Sequence, residues 1–233
     1  MLWKQRKDIR AYLLIEALIF VAIKIAQYTL TRNETRFVMY SAIVVNTIMA
    51  LHLFTRYGKA APDKHDNLIF CALMVNCVAD IFLTLIGGPT VFLPGFACFC
   101  TVEAIYAVYL RPDGRNLILR AAAFVASLVF AYCIHLLTLT NALGLLNLTL
   151  IGGNAICAWL AWRRERTFPA LLFAVGLTSF LIGDISVALE IMLPAGTLAQ
   201  RLFTLAVWTF YTPAQVLIVL TYAERLCPSK TAA

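Results

Sequence analysis

Charge is scarce in this chain, and histidine is scarcer still. Asp, Glu, Lys and Arg make up only 13% of its 233 residues, against roughly a quarter in a soluble domain. No stretch is long and polar enough to stand as a separate soluble domain, so a single membrane domain over 1–233 is expected. The three histidines, His52, His65 and His135, lack metal-ligand spacing, which argues against a zinc hydrolase with converging His and acid ligands. A Ser-His-Asp triad is disfavoured as well, because His135 is the only mid-helix histidine and no Gly-x-Ser-x-Gly elbow accompanies it. There is no phosphate-binding glycine loop. The seven cysteines fall almost entirely inside apolar runs, where cysteine serves as a small buried residue, and no disulfide framework is supported.

Apolar residues are abundant: 62% of the chain, with a mean hydropathy of +0.84. A membrane-spanning helix needs about 20 mostly apolar residues. Eight stretches qualify, at 11–31, 36–56, 68–87, 90–110, 117–138, 143–162, 168–193 and 200–223. Gly, Pro and charge punctuate them, as in Gly87-Gly88-Pro89 and Arg111-Pro112-Asp113-Gly114-Arg115. The expected fold is therefore all-α and polytopic. The first run lacks a small-residue cleavage site and is long for a signal-peptide core, so it reads as a retained helix.

The net charge of +7 reads as topology and not as a nucleic-acid surface, since the basic residues are scattered through short loops. One side carries most of them, from Lys4 and Arg10 through Arg56, Arg111, Arg120 and Arg163 to Arg225. The other side has only Arg32, Arg36 and Arg201. The positive-inside rule then puts both termini in the cytoplasm. Asp80 precedes Tyr106 at nearly the spacing with which Asp184 precedes Tyr211, a weak hint of a parallel repeat of four helices plus four.

Two carboxylates within these runs need a reason. Asp80 and Asp184 each sit in apolar sequence, where an acid costs roughly 2.5–3.5 kcal/mol on insertion scales. At about 1.5 Å per residue, Lys24 and Asp80 lie roughly 10 Å from the outer ends, Asp184 and Tyr211 roughly 15 Å, and Glu103 roughly 20 Å. Asn76 precedes Asp80 by one turn, and Glu103 and Tyr106 share a face, as do Tyr211 and Gln215. Pro213 should kink the last helix and free a carbonyl. Buried polar groups also act as glue between helices, at about 0.6 kcal/mol per bond, and Lys24 is a candidate charge partner for Asp80. So many polar groups at matched depth favour a functional cavity. Carboxylate chemistry is one use of it; the alternative is a carrier or binding protein for lipids or small molecules with a proton-titrating acidic cavity.

At these residues the chain resembles the YhhN-type lysoplasmalogenase family, small proteins with eight membrane helices. The resemblance covers about 60–218. It rests on Ala79-Asp80 before an apolar run, on Pro94-Gly95-Phe96 through Glu103 to Tyr106, on Gly176 through Phe180 to Gly183-Asp184, and on Phe210-Tyr211 through Gln215 to Ile218. Three positions depart from the family pattern. Glu103 stands where the family usually has histidine, Gly183 where it has serine, and Ala79 where it has glycine.

The resemblance implies hydrolysis of the vinyl-ether bond of lysoplasmalogens, releasing a fatty aldehyde and a glycerophospho-alcohol. No cofactor is implied. The implied partners are a lysophospholipid substrate and the bilayer of a bacterial inner membrane or, in a eukaryote, the endoplasmic reticulum. Vinyl-ether cleavage starts with protonation of the enol carbon, and paired carboxylates suit it as they suit glycoside hydrolysis. Asp80 and Asp184 are the expected acid/base pair, in either order. Asn76, Glu103, Tyr106, Tyr211 and Gln215 are expected to line the pocket.

Overall fold

The computed structural model describes residues 6–30, 32–60, 63–194 and 196–226. Within them the chain forms eight α-helices and no strand. They are α1 (Lys7–Thr29), α2 (Arg32–Tyr57), α3 (Asn67–Asp80), α4 (Pro89–Leu110), α5 (Gly114–Cys133), α6 (Leu139–Glu165), α7 (Phe168–Met192) and α8 (Leu198–Leu226). Helices are the natural outcome for such apolar sequence, because in hydrocarbon every backbone N–H and C=O must find its partner within the segment. Seven spans are long and apolar enough to cross a membrane: α2, α4 to α8, and α3 together with its flanking turns over Lys64–Ile86. α1 is 23 residues long and turns Leu14, Leu18, Val21 and Ile25 outward, an apolar face of the kind lipid requires. The protein is an integral, multi-pass membrane protein.

Chain order and space agree at the ends. Asp8 near the start of α1 meets His52 near the end of α2, Asn67 at the start of α3 bonds Gly58 O, and Tyr222 near the end of α8 bonds Asn67. The start of α1 and the end of α8 thus share one end of the bundle. Toward that end lies the larger of two packed regions, with Leu53, Leu73, Tyr106, Phe173, Leu177, Ile218 and Tyr222 among its buried residues. The smaller region lies toward the opposite end and includes Ile23, Ile43, Phe99, Ile151, Phe180, Trp208 and Tyr211.

Three local features place the polar side chains of the bundle. First, α3 does not run straight into its turn: after Asp80 the chain widens into a π-helical segment, Ile81–Ile86, closed by Gly87 N–H donating to Phe82 O at 2.8 Å. Single π turns of this kind recur at functional sites. Gly87 and Gly88 then take φ of 62° and 106°, left-handed values that a side chain resists.

Second, α7 and α8 approach closely. A Cβ on Gly176 would meet Ile218 at 3.2 Å, and one on Gly183 would lie 3.7 Å from the Tyr211 backbone. Small residues allow this kind of contact in membranes. The close approach sets Asp184, next to Gly183, beside Tyr211.

Third, α5 packs on α6 and leaves much of its surface outward, yet it carries a buried arginine. The sequence groups Arg120 with the loop charges of one side. It instead reaches into the interface, donating from Nε to Asn116 Oδ1 (2.5 Å) and from Nη1 to Asn154 Oδ1 (2.7 Å). An arginine at that depth is tolerated only with partners.

Candidate functional site

At the end of the bundle away from the start of α1, the helices part around a cavity of about 750 Å³. Asp80 and Asp184 both line it, one from the end of α3 and the other from α7. Tyr211 of α8, Asn147 of α6 and Thr84 of the π-helical segment join them. Most of the remaining wall is apolar, with Met39, Leu83, Phe92, Phe96, Phe99 and Trp208. The mouth is polar and includes Gln27, Arg36, Glu190, Gln200 and Arg201.

The two aspartates are held differently. Asp80 is only 3% exposed and accepts three hydrogen bonds. Asn76, one helical turn earlier, donates to Oδ2 at 2.9 Å, and Thr84, four residues later, donates to Oδ1 at 3.0 Å. The Tyr211 hydroxyl donates to Oδ2 as well, and also accepts from Asn76 Nδ2 at 3.0 Å. Tyr211 is itself fixed by ring contacts with Phe180 and Trp208, with centroids 5.0 and 5.4 Å away. Asp184 is half-buried and accepts from Asn147 Nδ2 at 2.7 Å. Asn147 Oδ1 has no partner of its own. Asp184 lies within electrostatic reach of Asp80 and of Glu103.

The other residues singled out from the sequence divide in two. Asn76 lies behind Asp80, where it bridges the carboxylate and Tyr211. Glu103, Tyr106 and Gln215 are buried but lie off the cavity wall. Glu103 is fully buried and its Oε2 accepts from Asn154 Nδ2 at 2.7 Å, while Tyr106 packs edge-on against Phe173 at 5.5 Å. Lys24 does not reach Asp80. Because α1 packs along α2 and α8, its ammonium donates to Leu205 O (3.0 Å) and Thr209 Oγ1 (2.7 Å) on α8.

The residues that sequence reasoning missed are Asn147, Asn154 and Thr84. Asn147 and Asn154 are two turns apart on one face of α6. Polar amides repeated at that interval in an apolar run were the available signal.

A smaller cavity of about 230 Å³ lies at the opposite end, bordered by His65, Asp66, Tyr109, Glu165 and Arg225. It contains none of the sequence candidates, and Arg225 is already paired there with Glu165 at 2.6 Å. Among the described residues no group of three or more His, Cys, Asp or Glu side chains is arranged to hold a metal ion.

Fold and site together define a multi-pass helical membrane protein with two carboxylates at a cavity that is open at one end. A model of the YhhN family matches residues 37–222, from the start of α2 to the last turns of α8. The chain belongs to the YhhN family. No curated protein and no solved structure matches it.

Proposed function

We propose that this protein is a lysoplasmalogenase-like hydrolase, cleaving the vinyl-ether bond of a lysoplasmalogen into a fatty aldehyde and a glycerophospho-alcohol. One observation carries the reading: Asp80 and Asp184, from separate helices, line a single apolar-walled cavity in a chain of the YhhN family. The apolar wall suits the alkenyl chain, with Phe92, Phe96 and Phe99 of α4 along it. The polar mouth suits a head group. The loop charges support a topology in which both chain ends are cytoplasmic and the mouth faces the other side.

The two environments support distinct roles. Asp80 meets three donors, which match a carboxylate with no proton of its own to give. Asp184 meets one and borders the cavity, which suits the group that delivers a proton. In this scheme Asp184 protonates the enol carbon distal to the ether oxygen, leaving an oxocarbenium ion that the Asp80 carboxylate stabilises. Water then adds to the carbon bearing oxygen, giving up one proton to Asp80. The resulting hemiacetal collapses: its hydroxyl proton returns to Asp184, and the departing glycerol oxygen takes the proton held by Asp80. One water is consumed and both carboxyl groups end as they began.

The test is aldehyde release by the purified protein in detergent from a panel of lysoplasmalogens. Saturated alkyl-ether lysolipids, which lack the enol carbon, serve as controls. Release from the vinyl ethers alone is the expected result. No release by a protein whose folding is verified, together with proton-dependent flux in liposomes, would replace the hydrolase with a carrier.

Tyr211→Phe removes the hydroxyl that joins Asp80 to Asn76 but keeps the ring contacts. A hydrogen bond to a charged group contributes about 1.5–3 kcal/mol, so kcat is expected to fall by about 10–100-fold. An unchanged kcat would remove Tyr211 from the scheme.

A further inference from the structure

The cavity mouth carries charges that form no ion pair among the described residues. Arg36, near the start of α2, makes one side-chain hydrogen bond, from Nη1 to Ile86 O at 3.1 Å. Arg201, near the start of α8, is exposed and makes no side-chain hydrogen bond or ion pair among the described residues. The same holds for Glu190 near the end of α7. All three border the cavity that Asp80 and Asp184 line. Charges of both signs therefore stand around one opening without neutralising each other.

The distribution of basic residues sharpens this contrast. In the loops and helix starts on this side the sequence provides only Arg32, Arg36 and Arg201, and two of the three border the mouth. Positive charge is disfavoured in loops away from the cytoplasm, so its presence around the opening needs a local reason.

The spacing suggests what fits. Six residues separate Asp184 from Glu190 along α7, about 9 Å of helix at 1.5 Å per residue. Arg36 is anchored at Ile86, six residues beyond Asp80, so it stands at a comparable height. In a glycerophospholipid five bonds separate the sn-1 oxygen from phosphorus, about 6 Å at ordinary single-bond lengths. An ether oxygen near the two aspartates would leave the phosphate below the arginines, within reach of their long side chains. Guanidinium groups bind phosphate oxygens in parallel pairs, and a carboxylate is the matching group for an ammonium.

We propose that Arg36 and Arg201 form a phosphate subsite at the mouth, with Glu190 receiving the ammonium of a zwitterionic head group. The cavity then selects a lysophospholipid by its phospho-amine. This rests on the hydrolase proposal only in taking the cavity as the substrate site.

The experiment measures binding and not turnover. Purified protein in detergent is titrated with three stable saturated ethers sharing one chain: 1-O-alkylglycerol, its 3-phosphate, and the phosphocholine ester of the same glycerol. At least a tenfold preference for the phosphate over the alkylglycerol is expected, and a further gain for the phosphocholine. Arg36→Gln and Arg201→Gln should each reduce the phosphate preference several-fold and abolish it in combination. Their unchanged affinity for alkylglycerol reports a folded cavity. Glu190→Gln should erase only the gain from choline.

Equal affinity of the parent for alkylglycerol and its phosphate would overturn the subsite. So would a full phosphate preference in the double arginine variant. Inorganic phosphate that displaces the phospholipid at equal concentration would reassign the arginines to a soluble anion and overturn the lipid assignment. Because saturated ethers are not cleaved, selective binding without aldehyde release would leave the subsite standing and remove the hydrolase. Aldehyde release without head-group selectivity would do the opposite.

Discussion

Asp184→Asn is expected to lower aldehyde release by about 10²–10⁴-fold, the range that a positioned acid or base contributes. The change is isosteric and keeps a hydrogen-bonding group beside Asn147. It also removes an ionisable group, which membrane sequence accommodates only at a cost. The thermal midpoint should therefore hold or rise while kcat falls, with KM nearly unchanged. Asp80→Asn should fall by a similar factor. The double variant should be little worse than the poorer single one, since groups acting as a unit are not additive. Substantial turnover by the double variant would sink the paired-carboxylate mechanism.

Asn154→Ala should produce the largest loss of stability. This amide serves two helices at once, with Nδ2 donating to Glu103 O (2.8 Å) and Glu103 Oε2 (2.7 Å) of α4 while Oδ1 accepts from Arg120 of α5. Glu103 Oε1 already lacks a partner, so the variant leaves both carboxyl oxygens unsatisfied in a fully buried site. Each orphaned buried group costs about 1–3 kcal/mol, and more if charged. A total of about 3 kcal/mol corresponds to a fall of about 6–12 °C in the midpoint for a chain of this size. Thermal unfolding in detergent measures it. Adding Glu103→Leu to Asn154→Ala removes the stranded carboxyl and should recover part of the loss. No loss in the single variant would mean that water or a lipid head group replaces the amide.

These two sites differ in how legible they are in the sequence. An acid in an apolar run is conspicuous, so Asp80 and Asp184 stand out, and hydropathy with the loop punctuation gives all eight helices. Counting residues along a helix gives height in the membrane, however, and not the direction a side chain faces. Glu103, Tyr106 and Gln215 thus have suitable heights and still lie behind the cavity wall. Which helices touch is equally hidden. Lys24 looks like a partner for Asp80 at matched depth, yet it bonds to α8. Asparagine is quieter than a charge in such sequence, and so the holders of Asp184 and Glu103 pass unnoticed. The π-helical segment leaves no compositional mark, since Ile81–Ile86 reads as any apolar run.

That segment gives α3 a place where chain length can change without turning the helix. A π turn holds one residue more than the α turn it replaces, so deleting one residue between Asp80 and Ile86 would let the stretch relax to ordinary helix. Hydropathy would barely change and the span would remain long enough. The rotational phase between the two ends would be nearly kept, because five α-helical residues turn about as far as six in the wider coil. Asp80 would still face Tyr211 and the cavity, and the contact of Ile86 with the guanidinium of Arg36 would survive. The same deletion in the regular turns of α3 ahead of Asp80 would instead rotate the two sides of the cut by about 100° relative to each other and part Asp80 from Asn76. The widened turn is thus slack, and the ordinary turns before it are where the register is held.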